Sequence, residues 1–195
     1  MYNGIQYPNF VETLVNAGEI ASRFYGLYLS NTGQYGSIVF GGVDTQKFEG
    51  DLVTLNCMPR GGHVFDFGLS MPYLTMDDEN GTTVQLVNET NAQYGVPDSG
   101  SNAWLVEETV YNRIVDLTGF VYSPEVELPL RPCVEVSNTT AFNFQFRGFE
   151  GSNATRAHLR VLLSKMVIPL LLPEGPRTGE LKAEVRPWAY TPESR

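Results

Sequence analysis

The stretch Val96-Pro97-Asp98-Ser99-Gly100-Ser101 is the most specific feature of this chain of 195 residues. Aspartate hydrogen-bonds its own backbone and glycine accepts a positive φ, so the stretch predicts a tight turn that begins at Asp98. A hydroxyl residue, Ser101, follows three positions later. These residues by themselves are compatible both with an ordinary surface turn and with a carboxylate that is presented for chemistry.

The segments before this turn carry a wider resemblance, because several recognisable patterns occur in a fixed order. In chain order they are Tyr7-Pro8-Asn9-Phe10-Val11-Glu12-Thr13-Leu14-Val15, Phe24-Tyr25-Gly26-Leu27-Tyr28-Leu29, Gly36-Ser37-Ile38-Val39-Phe40-Gly41-Gly42-Val43-Asp44 and Phe48-Glu49-Gly50-Asp51-Leu52. Together with the Asp-Ser-Gly turn they resemble the C-terminal lobe of the pepsin-like aspartic endopeptidases, especially the secreted fungal ones. The resemblance extends from about Tyr7 to about Pro173.

The resemblance implies an all-β fold. Residues 1–173 would form one pepsin-like acid protease lobe, which is β-barrel-like with a few short helices. Residues 174–195 are rich in proline, glycine and charge, and they do not match the strands that close such a lobe. They predict a divergent, irregular tail.

Local patterns predict the individual elements. Helical spacing occurs at 8–21 and at 105–115. The predicted strands are 24–29, 37–40, 63–71, 82–86, 134–136, 142–146, 159–163 and 167–172. Asn80-Gly81 predicts a tight hairpin between two of them.

The resemblance also implies a chemistry, that of an aspartic-type endopeptidase. In that family two neighbouring carboxylates share one proton and activate a water molecule. Asp98 would be one of these carboxylates, Ser99 and Gly100 would build its turn, and the hydroxyl of Ser101 would steady it. Pro97 departs from the family, which has an apolar strand residue at this position.

The sequence contains no second Asp-Ser/Thr-Gly segment. It therefore predicts a lobe that lacks the first catalytic aspartate, with a peptide or protein as its substrate. A missing N-terminal lobe would supply the second carboxylate or, with less support, a homodimer partner would. The alternative interpretation is a catalytically inactive remnant or a peptide-binding protein of the same fold.

Other partners and cofactors are not expected. His63 and His158 lie far apart and have no metal-ligand spacing, and the acidic run 77–81 lacks the alternation of a calcium loop. The excess of 22 Asp+Glu over 13 Lys+Arg argues against nucleic acid. We expect no metal and no cofactor.

The cellular location is inferred from four kinds of signal. Asn-X-Ser/Thr acceptors for N-glycosylation occur at Asn80, Asn88, Asn138 and Asn153. They favour the secretory route, and the resemblance implies a secreted, cell-surface or vacuolar protein. The first residues lack the features of a signal peptide, so we expect a fragment or a late-begun reading frame. No stretch is long enough for a transmembrane segment.

The cysteine content leaves the redox state open. Cys57 and Cys133 are the two cysteines of the chain. They could form one internal bridge or remain two buried thiols, and the sequence does not decide between these states.

Overall fold

The computed structural model describes residues 7–30, 35–101, 104–125, 127–149, 155–170, 182–184 and 187–188. The chain forms two compact units, Met1–Leu52 and Val53–Arg195. The assignment of residues 1–173 to one lobe stays a prediction.

The first unit opens with helix α1, Phe10–Asn16. Its start is fixed by a capping box: the Glu12 backbone N–H donates to Asn9 Oδ1 at 2.9 Å, and the Asn9 N–H donates to Glu12 Oε2 at 3.1 Å. These bonds satisfy two of the backbone donors that a helix start leaves without partners. The predicted helix is confirmed, although it ends earlier than its sequence pattern suggested.

A hairpin follows, with β1 (Tyr25–Leu29) antiparallel to β2 (Gly36–Phe40), as predicted. The chain leaves β2 through Gly41, which has a φ of 72° and donates to the Phe24 carbonyl at 2.8 Å. A Cβ on Gly41 would lie 2.8 Å from the Ile20 Cβ. Glycine is therefore required here for both its conformation and its small size.

The second unit contains most of the strands. They are, with its two helices, β3 (Leu69–Asp77), β4 (Thr83–Val87), β5 (Gln93–Gly95), β6 (Trp104–Leu105), α2 (Glu108–Thr118), β7 (Val121–Ser123), β8 (Leu128–Pro132), β9 (Ala141–Arg147), β10 (Arg156–Leu162), α3 (Leu163–Met166), β11 (Ile168–Leu170), β12 (Lys182–Glu184) and β13 (Pro187–Trp188). Short 3₁₀ turns lie at Glu89–Asn91 and Cys133–Glu135, and the first unit has one at Thr45–Lys47.

These strands form three sheets. The largest has the order β10-β9-β3-β4, and β5 pairs with the first residues of β3. A second has the order β11-β12-β8-β7, and β13 pairs with β6 in parallel. The fold is thus mostly β with a few short helices, as expected.

The core of the second unit lies between the largest sheet and α2. Side chains on β3 alternate, so that Leu74 and Met76 are buried, and Phe142 of β9 is buried beside them. Val110 and Ile114 cover them from α2, one helical turn apart. The apolar stripe that predicted this helix is therefore the face that enters the core.

The hairpin predicted at Asn80-Gly81 is confirmed. Asp78 Oδ1 accepts from the Asn80 N–H at 2.9 Å and from the Thr82 N–H at 2.7 Å, while Gly81 takes a φ of 80°. The aspartate carboxylate thus replaces solvent for two backbone donors, and glycine accepts the left-handed conformation that the turn needs.

The strand predicted over 63–71 begins only at Leu69. The preceding residues fold back on themselves instead, because Gly61 and Gly62 have φ angles of 57° and 80° and make a tight turn. Asp66 Oδ1 then accepts from the Gly68 N–H at 3.0 Å, which bends the chain just before the strand. The apolar alternation of these residues predicted a strand, but the glycine turn and the Asp66 hydrogen bond produce a loop instead.

The strand predicted at 134–136 is also wrong, because Cys133–Glu135 is a 3₁₀ turn. Pro132, which lacks an N–H, ends β8 immediately before it, and Val134 is 94% exposed. The predicted helix at 105–115 starts later, at Glu108, and ends where Gly119 adopts a φ of 68°.

The tail contains regular structure where an irregular chain was expected. Within 174–195, β12 pairs with both β8 and β11, and β13 pairs with β6. These short strands form where the edges of β8 and β11 offer backbone partners, which composition does not reveal, and the assignment of 174–195 as a whole to an irregular tail stays a prediction. The remaining residues of 174–195 lie outside the described part.

Asp77 ties the strands of the largest sheet together. Its carboxylate accepts from Asn143 Nδ2 at 2.9 Å and from Thr83 Oγ1 at 2.9 Å, and Arg160 Nε lies 3.9 Å away. The bond from Asn143 is the main reason that the pKa of Asp77 is lowered, followed by the bond from Thr83. A lowered pKa means that the charged carboxylate stabilises the fold above the ordinary carboxyl pKa and stops doing so as the pH falls through the lowered value.

We predict that Asp77→Asn lowers the free energy of unfolding at pH 6 by about 1.5–3 kcal/mol, the size of a hydrogen bond to a charged group. Urea unfolding at pH 6 and at about pH 2.5, well below the ordinary carboxyl pKa of about 3.9, measures the effect. Asp116→Asn, at an exposed position of α2, is the control. An equal loss at both pH values would contradict the assigned role of the charge.

Candidate active site

The Asp98 segment forms the predicted turn. The Gly100 N–H donates to Asp98 Oδ1 at 2.8 Å, and the Ser101 N–H donates to the Asp98 carbonyl oxygen at 3.3 Å. Asp98 is exposed. The turn therefore fixes one oxygen of the carboxylate with a backbone donor and presents the group at the surface of the second unit.

The neighbouring residues suit this geometry. Ser99 and Gly100 form the turn itself, and a Cβ on Gly100 would lie 3.1 Å from Asp98 Oδ1, closer than ordinary van der Waals contact. Glycine therefore allows the carboxylate to approach the backbone. For Ser101 the structure gives the backbone bond, and the steadying role of its hydroxyl stays a prediction. Pro97 has no N–H, and β5 stops two residues before it, at Gly95.

An aromatic cluster anchors the chain after the turn. Trp104, on β6, packs edge-on against Phe142 and Phe144, with ring centroids 5.5 Å and 5.2 Å apart. Trp104 also lines an apolar cavity of about 20 Å³ beside Ile114 of α2. That volume holds about one water molecule, so we assign the cavity to core packing and not to substrate.

A polar cluster anchors the chain before the turn. The Tyr94 hydroxyl, on β5, donates to the Asp66 carboxylate. Arg60 Nη2 lies 2.6 Å from Asp66 Oδ2, and Arg60 Nε donates to the Tyr94 hydroxyl oxygen at 3.3 Å. The Tyr94 hydroxyl is the main cause of a lowered pKa at Asp66 and of a raised pKa at Arg60. Sequence reasoning missed this cluster; its only local signal is the Gly61-Gly62 turn beside Arg60.

Asp44, which is followed by a threonine as a catalytic aspartate of this type could be, has a structural position. Asp44 precedes the 3₁₀ turn Thr45–Lys47, and its Oδ1 accepts from the Gln46 N–H at 3.0 Å. Within the described ranges no group of three His, Cys, Asp or Glu side chains could hold a metal ion. In the same ranges no helix is long and apolar enough to cross a bilayer.

The remaining sequence candidates are the acceptor asparagines and the two cysteines. The acceptor asparagines Asn80, Asn88 and Asn138 are exposed, whereas Asn153 lies outside the described residues. Glycosylation at these positions stays a prediction. Cys57 and Cys133 are half-buried and carry no disulfide, so the structure favours the two free thiols.

Comparison with known proteins connects this geometry to a family. The family model described as eukaryotic aspartyl protease matches residues 2–164. The chain belongs to the eukaryotic aspartyl protease family. The resemblance inferred from the sequence is thereby confirmed.

Two relatives show how much of an aspartyl protease the chain represents. It is 29% identical over 154 residues to the Aspergillus fumigatus protein described as "probable aspartic-type endopeptidase opsB", which covers 74% of this chain and 30% of that protein. It is 29% identical over 167 residues to "secreted aspartic protease 9" of Candida albicans, which covers 83% of this chain and 29% of that protein. The chain thus spans less than a third of the length of either relative.

A solved aspartyl protease has the same fold. The crystal structure of the aspartic proteinase from Irpex lacteus matches with a TM-score of 0.66 at 14% identity, over 94% of this chain and 50% of the other. At this identity the match concerns the fold alone, and it supports the pepsin-like fold that the sequence implied.

We predict that Trp104→Ala destabilises the second unit by about 3 kcal/mol, because the change removes a large aromatic side chain from between two others. Urea unfolding followed by circular dichroism measures this loss. Leu105→Ala, at the 54% exposed neighbouring position of β6, is the control and should change stability little. Equal effects of the two variants would show that the aromatic cluster does not anchor this strand.

Proposed function

We propose that this chain is one lobe of an aspartic-type endopeptidase and that Asp98 is one of its two catalytic carboxylates. The observation that carries the proposal is the Asp98 turn, in which the Gly100 N–H bonds one carboxylate oxygen while the side chain stays exposed. Membership of the aspartyl protease family supports the same assignment.

The proposed reaction is hydrolysis of a peptide bond in a peptide or protein. Two carboxylates that lie close together hold one proton between them, because they cannot both ionise comfortably. The ionised carboxylate takes a proton from water as the water oxygen bonds to the scissile carbonyl carbon. A proton from the pair then passes to the leaving nitrogen as the carbon–nitrogen bond breaks, and no cofactor is needed.

This chain supplies one half of that pair. Asp-Ser-Gly occurs once in its sequence, and the chain covers only 30% of one relative and 29% of another. We therefore assign the second carboxylate to an N-terminal lobe outside this sequence. A second copy of the chain is the less favoured source, because a two-fold axis would have to bring two Asp98 turns together.

The single Asp-Ser-Gly segment also favours a second candidate function, a catalytically inactive remnant or peptide-binding protein of the same fold. The location that we propose is the same for both, namely secreted, cell-surface or vacuolar. Exposed Asn-X-Ser/Thr acceptors at Asn80, Asn88 and Asn138 support it.

We predict that the purified chain does not cleave a quenched peptide at acid pH unless it is supplied with an N-terminal lobe or self-associates. Cleavage is measured over a range of protein concentrations, with Asp98→Asn beside the unchanged chain. A homodimer that rebuilds the pair would give a rate rising with about the square of concentration below its dissociation constant, and Asp98→Asn would abolish it.

Asp116→Asn is the matched control, since it makes the same chemical change at an exposed position of α2. Cleavage that is first-order in the chain and survives Asp98→Asn would contradict the proposed role of Asp98. A folded sample that binds the peptide without cleaving it, also after an N-terminal lobe is added, would favour the binding protein.

A further inference from the structure

The polar cluster of Arg60, Asp66 and Tyr94 joins the loop 58–68 to β5, the strand that leads toward Asp98. Tyr94 is the central residue of β5, and Asp98 follows it four positions later in the chain. We propose that this cluster is a positioning device for the Asp98 turn: it holds the entering strand in place so that the carboxylate is presented in a fixed position. The consequence for cleavage rests on the proposed function, whereas the positioning itself does not.

The first argument is that the cluster links two segments that are distant in sequence. Residues 58–68 form a folded-back loop, in which the Met58 N–H donates to the Gly68 carbonyl at 2.7 Å and the Arg60 N–H donates to the His63 carbonyl at 2.8 Å. The Tyr94 hydroxyl joins β5 to this loop through Asp66. The entering strand is thus attached by a side chain as well as by its pairing with β3.

The second argument is that Tyr94 is enclosed on two sides. The Arg60 guanidinium lies over its ring, 4.6 Å from the centroid. On the loop side, a Cβ on Gly68 would lie 1.7 Å from the Tyr94 hydroxyl oxygen, so only glycine leaves room for the tyrosine. Position 68 and position 94 are therefore matched in shape, and the cation–π contact adds to the hydrogen bonds.

The third argument is that the pairing of β5 alone is short. β5 meets β3 over three residue pairs, from Met71 with Gln93 to Leu69 with Gly95. Pro97 prevents the ladder from continuing toward Asp98, because it has no N–H. A three-residue strand frays readily, so an additional side-chain attachment at its centre changes how firmly the following turn is held.

The cluster also keeps its carboxylate charged at acid pH. The Tyr94 hydroxyl, ahead of the Arg60 charge and the Gly68 N–H, lowers the pKa of Asp66. The Asp66 carboxylate therefore keeps its charge below the ordinary carboxyl pKa of about 3.9, and the attachment is lost only as the pH falls through the lowered value. The charged and titratable groups of this loop are Arg60, Asp66 and His63, whose ring lies 5.9 Å from that of Phe65.

The test is amide hydrogen exchange of the segment 96–101 in the full chain, expressed as protection relative to the intrinsic exchange rate. Tyr94→Phe keeps the ring between Arg60 and Gly68 and removes only the hydroxyl. We expect it to lower protection of this segment about three- to fivefold at pH 5, as the loss of about one hydrogen bond would. Tyr122→Phe, on β7 at a 55% exposed position, is the matched control and should leave protection unchanged.

Two further measurements separate positioning from a general loss of stability. The urea midpoints of the Tyr94 and Tyr122 variants should be similar, because the effect is local. Asp66→Asn should lower protection of 96–101 in the same way at pH 5, and its difference from the unchanged chain should shrink as the pH falls through the lowered pKa of Asp66.

Protection of 96–101 that is equal in the unchanged chain and in both Tyr94→Phe and Asp66→Asn would overturn the proposal. A loss spread evenly over the whole second unit, or one independent of pH for Asp66→Asn, would overturn it as well. Exchange is read whether or not the chain cleaves a peptide, so failure of the positioning role and failure of the proposed function are distinguishable.

Discussion

The position of Asp98 depends on the anchoring of the two short strands that flank its turn. The turn itself is exposed, and the backbone N–H groups of Gly100 and Ser101 donate to Asp98 within it. Before it, β5 is paired with β3 and attached through the Tyr94 hydroxyl; after it, Trp104 packs on two phenylalanine rings of β9. Turn chemistry thus sets the conformation of the carboxylate, and the surrounding sheet sets its location.

Both anchors lead to the largest sheet of the second unit. β3 pairs with β4, β5 and β9. It therefore holds β5, which precedes the Asp98 turn, and lies beside β9, whose phenylalanine rings pack against Trp104 after the turn. Asp77 holds the far end of β3 to Asn143 of β9 and Thr83 of β4. A catalytic group on an exposed loop is commonly positioned by such a rigid scaffold. The arrangement suits the proposed reaction, which requires two carboxylates at a fixed separation.

The parts that the sequence predicted correctly are those determined by local chemistry. The hairpin at Asn80-Gly81 and the Asp98 turn each follow from a few adjacent residues whose backbone preferences are strong. The apolar spacing at 105–115 likewise put Val106, Val110 and Ile114 on one face, and of these Val110 and Ile114 are buried on α2, whereas Val106 precedes the helix. The aspartyl protease family was identified from such segments and their order.

The parts that it missed depend on partners far away in the chain. The residues before Leu69 alternate as a strand does, but their hydrogen bonds close a local loop. The short strands β12 and β13 form because β8, β11 and β6 offer them backbone partners. The amino-acid composition of the tail does not reveal these partners. The polar cluster joins Arg60 to Tyr94 across a sequence separation of 34 residues, so no local pattern could place the two side chains together.

The claim that the Asp98 turn is preformed and firmly held is tested most directly by its backbone dynamics. The measurement is the ¹⁵N order parameter of the Gly100 amide, which donates to Asp98 Oδ1. We predict a value of about 0.85 in the purified chain, as in rigid backbone, close to that of β3. A value below about 0.6, as in flexible loops, would show that the flanking anchors do not fix the carboxylate and would contradict this account.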